Sequence, residues 1–269
     1  MRAQNSALWR PYPAAARASN APEIIMVDIH CHIIPEVDDG ASSWDMAVEM
    51  CEMAVHDGIE HIVATPHADF KFPYHREELA ARLDRLQQLT GGAPRLTLGC
   101  DFHLSYDNLE DAFAHPGRYT IGETGYLLVE FSDYSIPQQI TGALLRLIEM
   151  GITPVITHPE RNPLLQHNLD RLLEWVDDGC LVQVTANSLT GFWGEQARRS
   201  ARSLLEQQLV HVLATDAHDL RRRVPILSAA RDAVALWHGE ERARTLVVDN
   251  PRAIVSGEKI RATSARAGK

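Results

Sequence analysis

Short runs of apolar residues alternate along the chain with longer segments in which apolar residues recur every three or four positions. The short runs are mostly continuous, which is typical of strands buried on both faces of a parallel sheet. The predicted strands are Ile24–Ile29, His61–Thr65, Arg95–Cys100, Tyr126–Phe131, Thr153–Thr157, Cys180–Thr185 and His211–Thr215. The longer segments have the helical period. The predicted helices are Met46–Val55, Glu77–Leu89, Gln138–Glu149, Leu169–Asp177, Gly194–Gln208 and Ile226–Trp237.

Seven strands that alternate with helices predict a parallel α/β architecture. A chain of 269 residues is long enough for one α/β barrel. We expect a single domain over residues 26–255, because no linker, repeat or low-complexity block interrupts it. Residues 1–25, rich in Ala, Arg, Ser and Pro, are expected to be a disordered extension, and residues 256–269 a flexible tail.

The composition narrows the classes of function. The net charge of −10 argues against a surface that binds nucleic acid by neutralising phosphates. No run of 18 apolar residues occurs, so no membrane span is predicted. The four cysteines form no CxxC pair, which fits a reducing compartment. We therefore expect a cytoplasmic protein.

Metal-binding residue types follow the predicted strands directly. Six of the seven strand ends carry a histidine, aspartate or glutamate. In an α/β barrel the carboxyl ends of the strands converge on one mouth, which is where active sites form. Residues far apart in sequence would therefore meet in one pocket. These candidates are His30, His32, Asp38, Asp39, His67, Asp101, His103, Glu130, His158, Glu160, Asp216 and His218.

The spacing within two of these groups has a physical reason. Residues i and i+2 on a strand point to the same face, so His30 and His32 can reach one ion. Cys31 faces the other way and is expected to pack in the core. Asp216 and His218 repeat the same spacing. A mixed set of histidines and carboxylates suits Mn²⁺, Zn²⁺ or Fe²⁺ better than Mg²⁺ or Ca²⁺.

Other chemistries lack their motifs. No cysteine is followed by the arginine of a Cys-x5-Arg phosphatase loop, and neither a GxxxxGK[ST] loop nor a GxSxG elbow occurs. His103 is open between lining the pocket and packing. Asp38 and Asp39 are open between a metal site and a turn with Gly40. The other histidines are expected to be structural: His56, His61, His75, His115, His167, His211 and His238.

Several motifs together resemble the PHP (polymerase and histidinol phosphatase) superfamily. They are DIHCHIIPEVDDG, ATPH, VEF, HPERN, QVTANSLTG, DAH and, near the end, NPRAI. Within that superfamily the sequence resembles the CpsB-type manganese-dependent tyrosine phosphatases of bacterial capsule and exopolysaccharide operons. The resemblance covers roughly residues 26–254. It implies a distorted seven-stranded (β/α) barrel of the PHP type with three divalent metal ions, of which Mn is expected and Zn or Fe are alternatives.

The resemblance also implies three ligand sets. They are His30, His32 and Asp216 for the first ion; Asp101, Glu130 and His158 for the second; and Asp39, His67 and His218 for the third, with Asp101 bridging the first two. Arg161, three residues after His158, would bind the substrate phosphate, and these two residues would be catalytic. Many family members have Glu where this chain has Asp101. The shorter side chain would need a backbone shift or a water to complete the bridge.

The implied function is hydrolysis of phosphotyrosine by a metal-activated hydroxide. The implied partner is a phosphotyrosine protein, namely the tail of a bacterial tyrosine kinase that controls polysaccharide synthesis. Ring stacking on the substrate tyrosine is open for the aromatic residues near the predicted mouth, which are Phe70, Phe72, Tyr74, Phe192 and Trp193. Alternatives are a PHP phosphatase for a small ester such as histidinol phosphate, a metal-dependent nuclease or amidohydrolase, and a non-catalytic metal-binding regulator.

Overall fold

The computed structural model describes residues 25–260 of the protein. The extension predicted for residues 1–25 lies outside this range except for Ile25, and the tail predicted for residues 256–269 lies outside it from residue 261 onward. The strands in the described range are β1 Met26–Cys31, β2 Ile59–Ala64, β3 His67–Ala68, β4 Arg95–Leu98, β5 Asp101–His103, β6 Tyr126–Glu130, β7 Thr153–Thr157, β8 Leu181–Thr185 and β9 Val212–Ala214.

The α-helices between and after these strands are α1 Trp44–Asp57, α2 Arg76–Leu89, α3 Tyr106–Ala114, α4 Ile140–Glu149, α5 Pro163–Gln166, α6 Leu169–Asp177, α7 Ala186–Leu189, α8 Gly194–Glu206, α9 Ser228–His238, α10 Glu240–Arg244 and α11 Asn250–Ser256. A 3₁₀ turn at Ile121–Glu123 precedes β6, and a π-helical turn at Thr245–Asp249 joins α10 to α11. Within residues 25–260, no helix combines the length and apolarity that a membrane span requires.

All strand pairs are parallel and lie in two sheets, with the orders β1-β2-β4 and β3-β5-β6-β7-β8-β9. β2 and β3 belong to one run of chain, as do β4 and β5. Backbone hydrogen bonds from Gly99 to Ala64 (2.8 Å) and from Asp101 to Pro66 (3.1 Å) continue the pairing across the breaks. A parallel β-bridge between Cys31, in β1, and Ala217, just after β9, links the far end of the second sheet to the first strand of the first sheet. The prediction of a distorted α/β barrel built from seven runs of strand is therefore confirmed.

Two groups of buried apolar side chains explain where the site lies. One fills the space between the strands and the surrounding helices and includes Cys31, as predicted. The other joins residues of several strands, such as Val27, Leu128 and Val212, to Ile254 of α11. Because this second group fills the interior of the ring, the polar side chains at the carboxyl ends of the strands are left to line the opposite, open mouth.

Differences from the predicted elements have local causes. The first strand begins at Met26 and extends to Cys31, whose backbone pairs with Ala64 of β2. Helix α3 was not predicted because it is only nine residues long and Ala112 is its one fully buried residue, with Leu109 and Phe113 partly buried beside it. The predicted tail begins at Ser256, which is the last residue of α11. Beyond that helix, the hydroxyl of Tyr126 donates to the backbone oxygen of Glu258 (2.6 Å) and accepts from the backbone N–H of Ile260 (3.1 Å).

Candidate metal centre

Three histidines at the mouth are oriented alike by hydrogen bonds from Nδ1. His30 donates to the side-chain oxygen of Gln183 (3.1 Å), His32 to Asp38 (2.8 Å) and His218 to the backbone oxygen of Asp216 (3.1 Å). Each of these bonds fixes the tautomer that leaves Nε2 with a free lone pair. The Nε2 atoms of His30 and His32 lie 3.2 Å apart. Two facing lone pairs at that distance require a cation or a proton between them.

The structure separates the roles of the two neighbouring aspartates. Asp39 points into the mouth, where its Oδ1 lies 3.3 Å from Nε2 of His67 and 3.4 Å from Nε2 of His218. Asp38 instead accepts from His32 and from the backbone of Gly40 (2.9 Å). Asp39 is therefore the side chain that can bind an ion, and Asp38 orients a histidine and closes the turn.

The candidate ligands form three overlapping groups in which the ligand atoms lie within 4.8 Å of one another. The groups are His32, Asp39, His67 and His218; His30, His32 and Asp101; and His67, Asp101 and Glu130. Asp101 is shared by two groups, as a bridging ligand would be. The partition differs from the one that the resemblance implies, because His32 and His67 each join two groups.

Two predicted ligands lie beside these groups. Nε2 of His158 lies 3.5 Å from Oε1 of Glu130, and Oδ1 of Asp216 lies 3.4 Å from Nε2 of both His30 and His32. His158 and Asp216 have positive φ angles of 34° and 52°. Such backbone strain in a residue other than glycine persists where the surrounding structure enforces it, and it clusters at functional sites.

Unpaired buried atoms indicate that the mouth is built for cations. Asp101 is 1% exposed, and no hydrogen bond to its oxygens is formed within residues 25–260, although Nδ1 of His67 lies 3.1 Å from Oδ2. Burial alone would raise the pKa of Asp101, but His30 and His67 hold it well below its usual range. A buried carboxylate without donors is costly unless a cation lies beside it. The residues at the mouth therefore fit divalent metal ions.

The electrostatics of the histidines agree with that fit. Burial lowers histidine pKa values, yet Asp101 and Asp39 raise the pKa of His67 to about 11, and Asp216 and Asp101 raise that of His30 to about 9. The carboxylates thus create a strongly negative potential. Burial keeps the pKa of His158 well below its usual range and that of His218 at about 4, so both are neutral and able to bind a metal.

Asp216 connects this cluster to two arginines. Its Oδ1 faces the histidines, whereas its Oδ2 accepts from Nη1 of Arg161 and forms an ion pair with Nη2 of Arg223 (2.6 Å). Nε of Arg223 donates to the backbone oxygen of Asp216 (3.2 Å). The guanidinium carbon of Arg161 lies 3.8 Å from the ring centroid of Trp193, and that of Arg223 lies 5.4 Å from it. Two guanidinium groups beside a metal cluster form an arrangement that can bind a phosphate.

Sequence reasoning missed Arg223. Asp219 accepts backbone hydrogen bonds from Arg221 and Arg222 (2.6 Å each), and the resulting turn brings Arg223 back to Asp216. The available signal was a run of three arginines that begins three residues after the last predicted ligand, His218, with a turn-forming aspartate between them.

Glu160 supports the loop between His158 and Arg161. The side chain is fully buried, and its Oε1 accepts from the backbone of Thr185 (3.0 Å) and the hydroxyl of Ser188 (2.7 Å). Burial raises its pKa to about 7. Glu160 therefore ties the end of β7 to the end of β8 instead of pointing at the metal cluster.

His103 and the aromatic residues at the edge of the mouth differ in their exposure and in their contacts. His103 is 30% exposed beside Glu130, with Nδ1 3.9 Å from Oε2, and this carboxylate raises the pKa of His103. Phe72 stacks on His67 with a centroid distance of 5.9 Å, whereas Phe70 is fully exposed. Tyr74 donates its hydroxyl to the backbone of Gly99 (2.9 Å), so that it packs beneath the rim.

Comparison with known proteins agrees with this arrangement. The sequence model of a family described as "Capsular polysaccharide synthesis, CpsB/CapC" matches residues 26–256. The chain is 32% identical over 244 residues to the tyrosine-protein phosphatase CpsB of Streptococcus pneumoniae, and the match covers 87% of this chain and 100% of that protein.

Two solved structures are also similar. One belongs to the crystal structures of YwqE from Bacillus subtilis and CpsB from Streptococcus pneumoniae, which are described as unique metal-dependent tyrosine phosphatases. The present chain matches it with a TM-score of 0.81 at 30% identity, and the match covers 87% of this chain and 96% of the other. A histidinol phosphate phosphatase from Lactococcus lactis has a TM-score of 0.53 at 13% identity, covering 81% and 93% respectively, and so shares the fold alone.

Proposed function

The chain belongs to the CpsB/CapC family of capsular polysaccharide synthesis, and from that membership we propose that it is a metal-dependent protein-tyrosine phosphatase. The proposal depends mainly on the contacts that the two carboxylate oxygens of Asp216 make. One oxygen of this carboxylate faces the histidine cluster and the other holds two arginines. A phosphate held by the arginines would therefore lie directly beside the metal centre.

The finer assignments belong to the same proposal. Three divalent ions, with Mn²⁺ expected, would be held by the strand-end residues His30, His32, Asp39, His67, Asp101, Glu130, His158, Asp216 and His218. The protein substrate would be a bacterial tyrosine kinase that controls polysaccharide synthesis, and both would meet in the cytoplasm. The likeness to tyrosine phosphatases supports the kind of substrate, and the donor set of histidines and carboxylates supports the kind of ion.

The chain's own residues supply binding and orientation. Arg161 and Arg223 would each donate N–H groups to the non-bridging phosphate oxygens, which carry the charge that grows in the transition state. Asp216 would keep the two guanidinium groups aimed at one point. Gln183 and Asp38 would hold the histidine rings so that Nε2 faces the centre.

Divalent ions, when bound, lower the pKa of water toward neutrality and offset the phosphate charge. A phenolate leaving group has a pKa near 10, so its departure needs less protonation than that of an alkoxide. Hydrolysis of an aryl ester therefore depends less on a general acid, and more on the groups that bind the phosphate, than hydrolysis of an alkyl ester does.

The decisive experiment measures phosphate release from a phosphotyrosine peptide and from histidinol phosphate in parallel, with added Mn²⁺ and with chelator. Peptide turnover that chelator abolishes is the expected result. Turnover of histidinol phosphate alone would move the function to small esters. Inactivity on both substrates with metal bound would favour the nuclease or regulator alternatives.

A matched pair of variants tests in the same assay whether Arg161 binds the substrate phosphate. Arg161→Ala should lower peptide turnover at least tenfold while the metal content is unchanged, because a charged bond to phosphate is lost. Arg85→Ala is the control, since Arg85 also stacks on a tryptophan, Trp44 (4.1 Å), but contacts none of the candidate ligands. Loss of metal from Arg161→Ala would contradict the assignment.

A further inference from the structure

Three aromatic side chains at the mouth are almost completely exposed. Phe70 is 101% exposed, Tyr134 94% and Tyr106 76%. Each follows the carboxyl end of a strand: Phe70 follows β3, Tyr106 follows β5 and Tyr134 follows β6. These three residues are called the aromatic arc.

The arc is contiguous because β3, β5 and β6 are neighbours in the sheet. Hydrogen bonds fix two of its loops to each other. The side-chain amide of Asn108, one turn into α3, donates to the backbone oxygens of Ala68 (2.7 Å) and His103 (2.8 Å). Asp69 accepts from the backbone N–H of Lys71 (2.7 Å) and so shapes the loop that carries Phe70.

The arginines lie beside and beyond the arc around the mouth, because β7 is the neighbour of β6 and β9 is the far end of the same sheet. The strands of the arc contribute the candidate ligands His67, Asp101 and Glu130, whereas Arg161 and Arg223 follow β7 and β9. A substrate whose phosphate lies against the arginines would therefore extend its remaining atoms over the metal centre toward the arc.

The exposure of these residues is selective. Among the described residues, the other exposed aromatic side chain, Phe192, also lies at the mouth, after β8. The exposed aliphatic side chains lie mostly on the outer helices, as Leu89 and Leu236 do. Single exposed apolar residues need no explanation, but aromatic residues grouped around a binding mouth are typical of contact surfaces.

We propose that the aromatic arc is a docking surface for the polypeptide that flanks the phosphotyrosine, and that it selects apolar or aromatic side chains there. This inference rests on the proposed function. Three neighbouring strands span about 10 Å, which an extended peptide covers with about three residues. About three consecutive residues of the peptide would therefore contact the arc. Asp107 and Asp133 adjoin Tyr106 and Tyr134 and disfavour acidic residues beside them, whereas Lys71 adjoins Phe70.

The test compares three phosphotyrosine peptides, flanked by leucine and phenylalanine, by glycine or by glutamate, with the small ester p-nitrophenyl phosphate. The wild-type protein should have a KM about tenfold lower for the apolar peptide than for the other two, as expected for a contact of about 1.4 kcal/mol. The triple variant Phe70→Ser, Tyr106→Ser, Tyr134→Ser should lose that preference and hydrolyse p-nitrophenyl phosphate as the wild type does. The control is Leu89→Ser, Leu236→Ser, which removes exposed apolar side chains elsewhere and should keep the preference.

Each other outcome has a definite meaning. If the wild type hydrolyses the peptides without preference, or prefers the glutamate peptide, the proposed docking surface is overturned and the proposed function is not. If the triple variant also loses p-nitrophenyl phosphate hydrolysis, these residues maintain the structure of the site, and the proposed docking surface is again overturned. A wild-type dimer that the triple variant converts to a monomer, measured by light scattering, assigns the surface to self-association instead. Absence of turnover of every ester by the wild type overturns the proposed function, and the arc with it.

Discussion

The contact between Trp193 and the two arginines proposed to bind phosphate gives a prediction that the structure allows to be quantified. The substitution Trp193→Ala removes the ring that lies 3.8 Å from the guanidinium carbon of Arg161 and 5.4 Å from that of Arg223. Both arginines keep their bonds to Asp216. The variant therefore removes the apolar support of the two guanidinium groups without removing either charge.

The expected size follows from the burial of the pair. A cation–π contact contributes about 0.5–1 kcal/mol at exposed sites and about 2 kcal/mol when desolvated. The side chain of Arg161 is 20% exposed, which favours a value of about 1–2 kcal/mol. Since 1.4 kcal/mol is a factor of ten, the loss should be about 5- to 30-fold. It should raise KM more than it lowers kcat, because phosphate is bound in both the ground state and the transition state.

The assay is the initial rate of hydrolysis of p-nitrophenyl phosphate over a range of concentrations, together with competitive inhibition by inorganic phosphate. KM and the inhibition constant for phosphate should rise by the same factor in Trp193→Ala, and Trp193→Phe should restore most of the loss because a ring face remains. Trp237→Ala is the matched control, since it removes a similar contact with Arg202 (4.5 Å) on α8 and α9. Unchanged constants in Trp193→Ala, or an equal loss in the control, would refute the reasoning.

Three further predictions concern the candidate ligands and the barrel. His158→Ala should abolish phosphate release while circular dichroism shows an intact fold; full activity with normal metal content would contradict its role. Asp101→Glu should lower turnover at least tenfold, because an added methylene in a site that is 1% exposed forces its neighbours apart; wild-type turnover would show that the site tolerates the longer side chain. Burial lowers the pKa of His211 from its usual 6.5 to about 4, and its Nδ1 accepts from the backbone of Val182 (3.0 Å). The unfolded chain therefore binds more protons between pH 6.5 and pH 4, and stability should fall by up to about 3 kcal/mol as the pH is lowered through that window. His211→Gln should flatten this dependence in denaturant titrations, and an unchanged slope would exclude His211 as its source.

The sequence alone predicted most of the fold because strand and helix patterns are local. The continuous apolar runs and the helical periods located all seven runs of strand, and Gly58 has the left-handed φ of 93° expected just past a helix end. The short helices α3 and α5 escaped prediction because each buries few side chains. Their formation depends on caps by Ser105 and Asn162 and on packing against the mouth.

The sequence also determined which residue types gather at the mouth, because each candidate ligand lies at a fixed offset from the end of a strand. The i, i+2 spacing of His30 and His32 brought their Nε2 atoms to 3.2 Å, as two residues on one strand face require. That each candidate binds a metal ion stays a prediction. The open question of Asp38 and Asp39 needed the structure, because a turn residue and a ligand have the same local pattern.

The tertiary structure alone decided which side chains meet across the mouth. His67 lies beside Asp101, and Arg223 turns back to Asp216, although neither pairing has a signature in the sequence. The pairing of His67 with Asp39 was implied by the family resemblance, and its geometry came from the structure. Distances between side chains on different strands depend on the register and curvature of the whole barrel, which no local pattern encodes. The exposure of Phe70 and the partial burial of Tyr74 were likewise decided by the folding of one short loop. The chain's local periodicity therefore determined the scaffold and the kinds of ligand, and the closure of the barrel determined the site.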